Sequence, residues 1–86
     1  MKVKSGLLLR QVAGENVVLS VGDEVKINGM ITLNDTGATL WKCLENGAET
    51  ADLVAALLAE YDVDEQTAAA HVEVYVNKLK ELGLID

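Results

Sequence analysis

The chain has one histidine, His71, and one cysteine, Cys43, and these are the first residues to weigh for chemistry. An imidazole works as a general acid or base only with a nucleophile or a paired acid within hydrogen-bond reach. Around His71 the sequence offers Ala68, Ala69, Ala70 and Glu73, which build no triad. On a helical wheel His71 flanks an apolar stripe, so it reads as a surface or boundary histidine. Cys43 sits between Lys42 and Leu44 and reads as a packed or half-buried thiol. A single cysteine makes neither an internal disulfide nor a Cys-x-x-Cys metal pair. The acids Asp62, Asp64 and Glu65 miss the spacing of a calcium loop and are better explained as helix caps. Gly29, Gly37 and Gly47 form no phosphate-cradling pattern. The reading is of a protein that is not an enzyme, with no catalytic residue, no metal site and no cofactor.

The elements that would position any binding residues must fit in 86 residues, enough for one small domain. A chain of that length buries only about 60–65% of its unfolded surface, so its core must be efficient. Half of the residues are hydrophobic, but there is no phenylalanine or proline. The core is therefore aliphatic, around Trp41, Tyr61 and Tyr75. Fourteen acids against seven bases give a net charge of −7. That balance opposes phosphate backbones and anionic membrane surfaces, which recruit Lys and Arg. The longest apolar run, Leu53 to Ala59, is far short of the roughly 20 residues of a membrane-spanning helix. Only Leu7-Leu8-Leu9 follows the basic N-terminus before Arg10, too little for a signal peptide. A cytoplasmic location is the resulting expectation.

The pattern changes near Leu33, from β-prone runs between glycine turns to helical periodicity. Leu7–Val12 and Val17–Val21 read as strands joined by Ala13-Gly14-Glu15-Asn16. Val17, Leu19 and Val21 recur at period two and predict one buried face. For the first strand, Leu7, Leu9 and Gln11 or Leu8, Arg10 and Val12 could point inward. Gly22-Asp23 turns the chain, and Asn28-Gly29 is a hairpin signal between Glu24-Val25-Lys26-Ile27 and a third strand, Met30 to Leu33. A first helix follows Asn34 or Asp35 as cap, carries Ala38, Leu40, Trp41 and Leu44 inward, and stops at Asn46-Gly47. A second starts at Thr50 as cap and runs to Tyr61, with Leu53, Val54, Leu57, Leu58 and Tyr61 as its stripe. A third starts near Asp64, with Asp62 and Glu65 spaced as a capping pair. Its stripe is Ala68, Val72, Tyr75, Val76, Leu79 and Leu82, and Gly83 ends it before Leu84-Ile85. The expected fold is α+β: a small winged helix-turn-helix-like domain, with an N-terminal three-stranded antiparallel sheet followed by three helices.

The segment Leu33-Asn34-Asp35-Thr36-Gly37-Ala38-Thr39-Leu40-Trp41 resembles the most recognisable stretch of the PqqD-like family, a Leu-Asn pair, Thr-Gly-Ala, an aliphatic residue and tryptophan. Further matches follow in order: Thr50 with Leu53, Val54 and Leu57; Tyr61-Asp62-Val63; and Leu79 to Leu84. The resemblance covers nearly the whole chain, read as one PqqD-like peptide-recognition domain over residues 1–86. It departs from the founding pyrroloquinoline quinone proteins in the stretch Gly22-Asp23-Glu24-Val25-Lys26-Ile27, and is closer to the stand-alone members.

The resemblance implies a RiPP recognition element, a peptide chaperone of natural product biosynthesis. Such a protein binds the leader region of a ribosomally synthesised precursor peptide and presents it to a modifying enzyme, such as a radical SAM maturase. It implies that the leader adds as a strand beside the third strand and lies against the third helix. Carried onto this sequence, the peptide-binding residues are Met30, Ile31, Thr32 and Leu33 on the strand, with Val74, Tyr75 and Lys78 on the helix. An open strand edge is also compatible with an edge-paired homodimer. The alternative on the same fold is a winged-helix transcription regulator or protein-interaction adaptor, and a purely structural accessory subunit is a third reading. For a recognition helix, the third helix offers Gln66, Asn77, Lys78 and Lys80, but it also carries Glu65, Glu73 and Glu81. No nucleic acid or membrane partner is expected.

Overall fold

Ala13 and Gly14 both take positive φ, 51° and 83°, which is what a tight turn between two antiparallel strands needs. They join β1 (Leu7–Val12) to β2 (Glu15–Ser20), and Val12 pairs directly with Glu15. The turn is thus two residues shorter than the sequence suggested, because Glu15 and Asn16 are already in the ladder. A short β3 (Ile31–Leu33) pairs antiparallel to the other side of β2, giving the sheet order β1-β2-β3. Three helices follow: α1 (Asp35–Glu45), α2 (Thr50–Glu60) and α3 (Glu65–Glu81). The computed structural model describes residues 1–21 and 30–85. The Gly22-Asp23 turn, the Glu24 to Ile27 arm and the Asn28-Gly29 hairpin signal lie outside these residues.

The tight turn fixes which side chains face the helices. Leu7 lies opposite Ser20, Leu9 opposite Val18, and Val18 opposite Ile31. Leu7 and Val18 are buried in the core, and Leu9, Ile31 and Leu33 pack against it. This selects the Leu7, Leu9, Gln11 face of β1. It also corrects the expectation for β2, where Val18 faces the helices rather than Val17, Leu19 and Val21. A shift of one residue exchanges the two faces of a strand, and here the turn sets that register. Val17 is buried outside the main cluster, and Val21 is exposed beyond the strand end.

Trp41 is fully buried at the centre, with Leu40, Leu44, Leu53, Leu84, Val18 and Val72 as the other large side chains shut off from water. Its indole Nε1 has no hydrogen-bond partner among the described residues. An unmade bond of that kind costs about 1–3 kcal/mol, an amount the burial of so large an apolar ring offsets. The expected stripes hold in their central positions: Leu53 and Leu57 on α2, and Ala68, Val72, Val76 and Leu79 on α3. Leu58 and Leu82, expected in the stripes, are exposed. Leu82 is the C-cap of α3, still helical in its backbone, one residue before the break at Gly83.

The helix starts differ from expectation in two places. Glu49, not Thr50, caps α2, and its backbone N–H donates to the Asp52 carboxylate at 2.8 Å. Asp64 caps α3 by accepting from the Thr67 N–H at 2.7 Å, so the Asp62–Glu65 pairing is one frame too early. At the far end, Gly83 adopts φ 72°; its N–H donates to the Lys80 carbonyl, and Leu84 N–H reaches back to the Leu79 carbonyl. This pair of bonds is the glycine-dependent helix stop that leaves no final carbonyl stranded. It aims Leu84 and Ile85 into the core, where Ile85 bridges Val3 and Lys4 N–H donates to the Leu84 carbonyl at 2.9 Å. No helix among the described residues is long and apolar enough to cross a membrane.

Two outcomes follow from these contacts. Leu84→Ala empties a fully buried position and should lower unfolding free energy in urea by about 2–5 kcal/mol. Hydrogen bonds from the Thr67 side chain and backbone hold the Asp64 carboxyl below its ordinary range. A carboxyl with a depressed folded-state pKa stabilises the fold above its unfolded pKa, and that contribution is lost as pH falls through the folded value. Asp64→Ala should therefore lower the melting temperature at neutral pH, and the difference should shrink as pH falls through the folded-state value.

Candidate functional site

The chain passes from strand to helix in one residue. Leu33 ends β3, and the side chain of Asn34 accepts from Gly37 N–H at 2.8 Å to cap α1. The cap forces the first turn of α1 tightly against the end of the strand. A Cβ built on Gly37 would lie 3.2 Å from Asn34 Oδ1 and 3.4 Å from both Leu33 Cβ and a ring carbon of Tyr75. Glycine is needed there for close approach, since its backbone does not adopt positive φ. The Gly37 carbonyl in turn accepts from the Tyr75 hydroxyl at 2.8 Å, tying α3 to the start of α1. Burial pushes the Tyr75 hydroxyl well above the ordinary phenol range, so it stays protonated and able to donate.

Beside this bond lies a cavity of about 500 Å³. That is within the ordinary size of a ligand site. Asn34, Thr36, Gly37 and Leu40 line it from the α1 side, and Ala70, His71, Val74, Tyr75 and Lys78 from α3. The three helical residues singled out in the sequence, Val74, Tyr75 and Lys78, therefore converge. Val74 is 71% exposed although apolar, and Lys78 stands one turn further along the same face.

The four strand residues do not line this cavity. They lie on the strand that leads into it. Ile31 and Leu33 pack towards the core, and Thr32 is exposed on the other face. Among the described residues, β3 has a strand partner only on its β2 side. Met30 falls one residue before β3, because pairing ends at Ile31 opposite Val18; its side chain is 62% exposed. Leu84-Ile85, which might have covered the open edge, pairs instead with Val3.

His71 is exposed, as its boundary position predicted, but its place in the cavity was missed. The signal was available: His71, Val74, Tyr75 and Lys78 stand at i, i+3, i+4 and i+7, one face of a helix. The contributions of Thr36, Gly37 and Leu40 depend on a contact between distant segments, which no local spacing reveals. A second, smaller cavity of about 100 Å³ adjoins the first and shares Thr36 and His71 with it. Leu57, Tyr61, Val63, Thr67 and Ala68 complete its lining.

Comparison with known proteins gives three findings. The family described as coenzyme PQQ synthesis protein D (PqqD) matches residues 15–85. The structure of TbiB1 in complex with the TbiA(beta) leader peptide is similar, with a TM-score of 0.81 and 24% identity over 100% of this chain and 95% of that one. That of lasso peptide synthetase B1 complexed with the leader peptide has a TM-score of 0.76 and 26% identity over 96% of this chain and 93% of the other. None of the curated proteins compared matches the chain.

The Tyr75 hydroxyl can be tested apart from its ring. Tyr75→Phe keeps the packing and removes the donor to Gly37, and should cost about 1 kcal/mol in a urea melt. In a Gly37→Ala background the same change should cost less, because the added methyl already displaces the ring. Additive costs would show that the two groups are not coupled.

Proposed function

The chain belongs to the PqqD family, and from that premise we propose that it is a non-catalytic binding domain for the leader region of a ribosomally synthesised precursor peptide. The leader adds as a strand to the free edge of β3, with Met30 to Leu33 supplying the backbone. Its side chains rest against Val74, Tyr75 and Lys78 of α3. A peptide held this way is presented to a modifying enzyme, such as a radical SAM maturase.

The observation that carries this reading is the continuity of an apolar cavity with the side of β3 that, among the described residues, has no strand partner. An edge strand offers unpaired N–H and C=O groups, which bind an extended chain without regard to its sequence. Specificity then has to come from pockets for side chains, and the cavity beside Tyr75 begins where β3 ends. The rigid geometry of Asn34 and Gly37 keeps edge and cavity in fixed relation, so little ordering is needed on binding. Both similar solved structures are of proteins bound to leader peptides, which supports the same occupant here.

The charge balance favours this over the winged-helix regulator. A DNA-reading α3 would need a cationic face. Here the two lysines at its end, Lys78 and Lys80, share the helix with Glu65, Glu73 and Glu81, in a chain of net charge −7.

The test is a titration of the protein with a synthetic leader from a short precursor encoded beside it. Saturable binding should shift the backbone amides of Ile31 and Thr32 and the ring signals of Tyr75 in NMR spectra. Val74→Asp, at an exposed position, should keep the fold and weaken binding about tenfold, a loss of about 1.4 kcal/mol. If no neighbouring precursor perturbs β3, the reading fails.

A further inference from the structure

The Tyr61-Asp62-Val63 segment stands out in the sequence, yet strand addition gives it no role. In the fold, Tyr61 and Val63 form one wall of the small second cavity, facing Thr67 and Ala68 of α3 across Leu57. Tyr61 is held in place, its hydroxyl 3.2 Å from the Thr39 hydroxyl of α1, and Thr39 in turn donates to the Asp35 carbonyl. Val63 stays 39% exposed at the mouth. A half-exposed valine beside a fixed tyrosine is an apolar recess open to solvent.

Two features connect this recess to the larger cavity. Thr36 and His71 line both, so the two adjoin. Thr36 lies three residues after the end of β3, so the shared boundary is close in sequence to the end of the strand. The second feature is charge. Although acids outnumber bases by two to one in the chain, no aspartate or glutamate lines either cavity among the described residues. Lys78 lines the larger one. The groove thus repels neither an apolar nor an acidic segment.

We propose that the second cavity is a side-chain subsite of the same leader, taking a small aliphatic residue from the segment flanking the added strand. This rests on the leader-binding reading. The volume of about 100 Å³ and the apolar rim of Leu57, Val63 and Ala68 suit a branched aliphatic side chain. Every pairing between the described strands is antiparallel. An incoming strand of the same sense runs opposite to β3, so the residues that pass Leu33 are those N-terminal to the added strand. The subsite therefore reads a position upstream of the strand-forming residues, and it lengthens the recognised sequence beyond what the edge alone would hold.

The probe is a displayed library of random peptides of about 16 residues, roughly three strand lengths, sorted on the whole chain. Enriched peptides are synthesised in full and without their N-terminal third. The full peptides should carry a recurrent Val, Leu or Ile in that third, and trimming should weaken them about tenfold. Thr67→Met, which fills the recess, and Val63→Asp, which makes its mouth polar, should each weaken the full peptides to the level of the trimmed ones. Both variants should leave trimmed-peptide binding unchanged, and circular dichroism reports whether each is folded. Equal binding of full and trimmed peptides, both shifting the Ile31 amide, would overturn the subsite and leave strand addition standing. A library in which no peptide shifts β3 would overturn both. A concentration-dependent dimer of the free protein that Thr67→Met abolishes would assign the recess to a second copy, and the subsite would again be wrong.

Discussion

The contact on which the site depends is the hydrogen bond from the Tyr75 hydroxyl to the Gly37 carbonyl. It is made possible by two other features of the same glycine. Its N–H caps α1 through Asn34, and its missing side chain lets the Tyr75 ring approach. One residue thus fixes the end of β3, the start of α1 and the middle of α3 relative to one another. Without that junction the strand edge and the helical wall of the groove would still exist, but their spacing would be set only by packing. Burial keeps the hydroxyl protonated, so the bond is independent of pH through the neutral range.

The legible parts of the fold were those decided by short-range chemistry. Asn34 before Asp35, Gly47 after Asn46 and Gly83 after Leu82 marked helix ends, because caps and left-handed stops act over a few residues. Val72 and Leu79 were identifiable as core from helical spacing alone. The errors lay where a single residue of register decides the outcome. The alternation Val17, Leu19, Val21 is a sound β pattern, but the two-residue turn at Ala13-Gly14 puts Val18 on the inner face. Likewise Asp62 and Glu65 have capping spacing, while the α3 cap is Asp64 bonded to Thr67. In each case two local patterns competed, and the backbone geometry of the turn or of the cap chose between them.

The groove was half legible for the same reason. Val74, Tyr75 and Lys78 share one helical face, so their convergence needs only the helix. His71 belongs to that face too, but a lone histidine was weighed for acid–base chemistry rather than as part of a wall. Thr36, Gly37 and Leu40 enter the cavity because the start of α1 meets α3 at the Tyr75–Gly37 bond, and that long-range contact is a property of the whole packed domain. The Thr-Gly-Ala segment was noticeable as a motif before its physical reason was known. The reason is steric, since a Cβ at Gly37 would crowd the capping oxygen of Asn34 at 3.2 Å and sit in contact with Leu33 and Tyr75.

A small aliphatic core constrains how such a domain can recognise anything. Trp41, Leu40, Leu44, Leu53 and Leu84 are all committed to the interior, and no aromatic side chain is among the large apolar residues left exposed. Recognition through backbone hydrogen bonds at an edge asks for none. What it asks instead is that the edge be rigid and correctly placed, and here rigidity comes from caps and glycine stops rather than from more buried area. Carboxylates stand in the first turns of all three helices, where they complement the helix dipoles, while the groove lining among the described residues is mostly apolar with a single lysine. On the proposed reading, a groove of that kind would discriminate by the shape and order of side chains along an extended peptide. Its selectivity would then grow with the length of peptide it contacts, more than with the strength of any one contact.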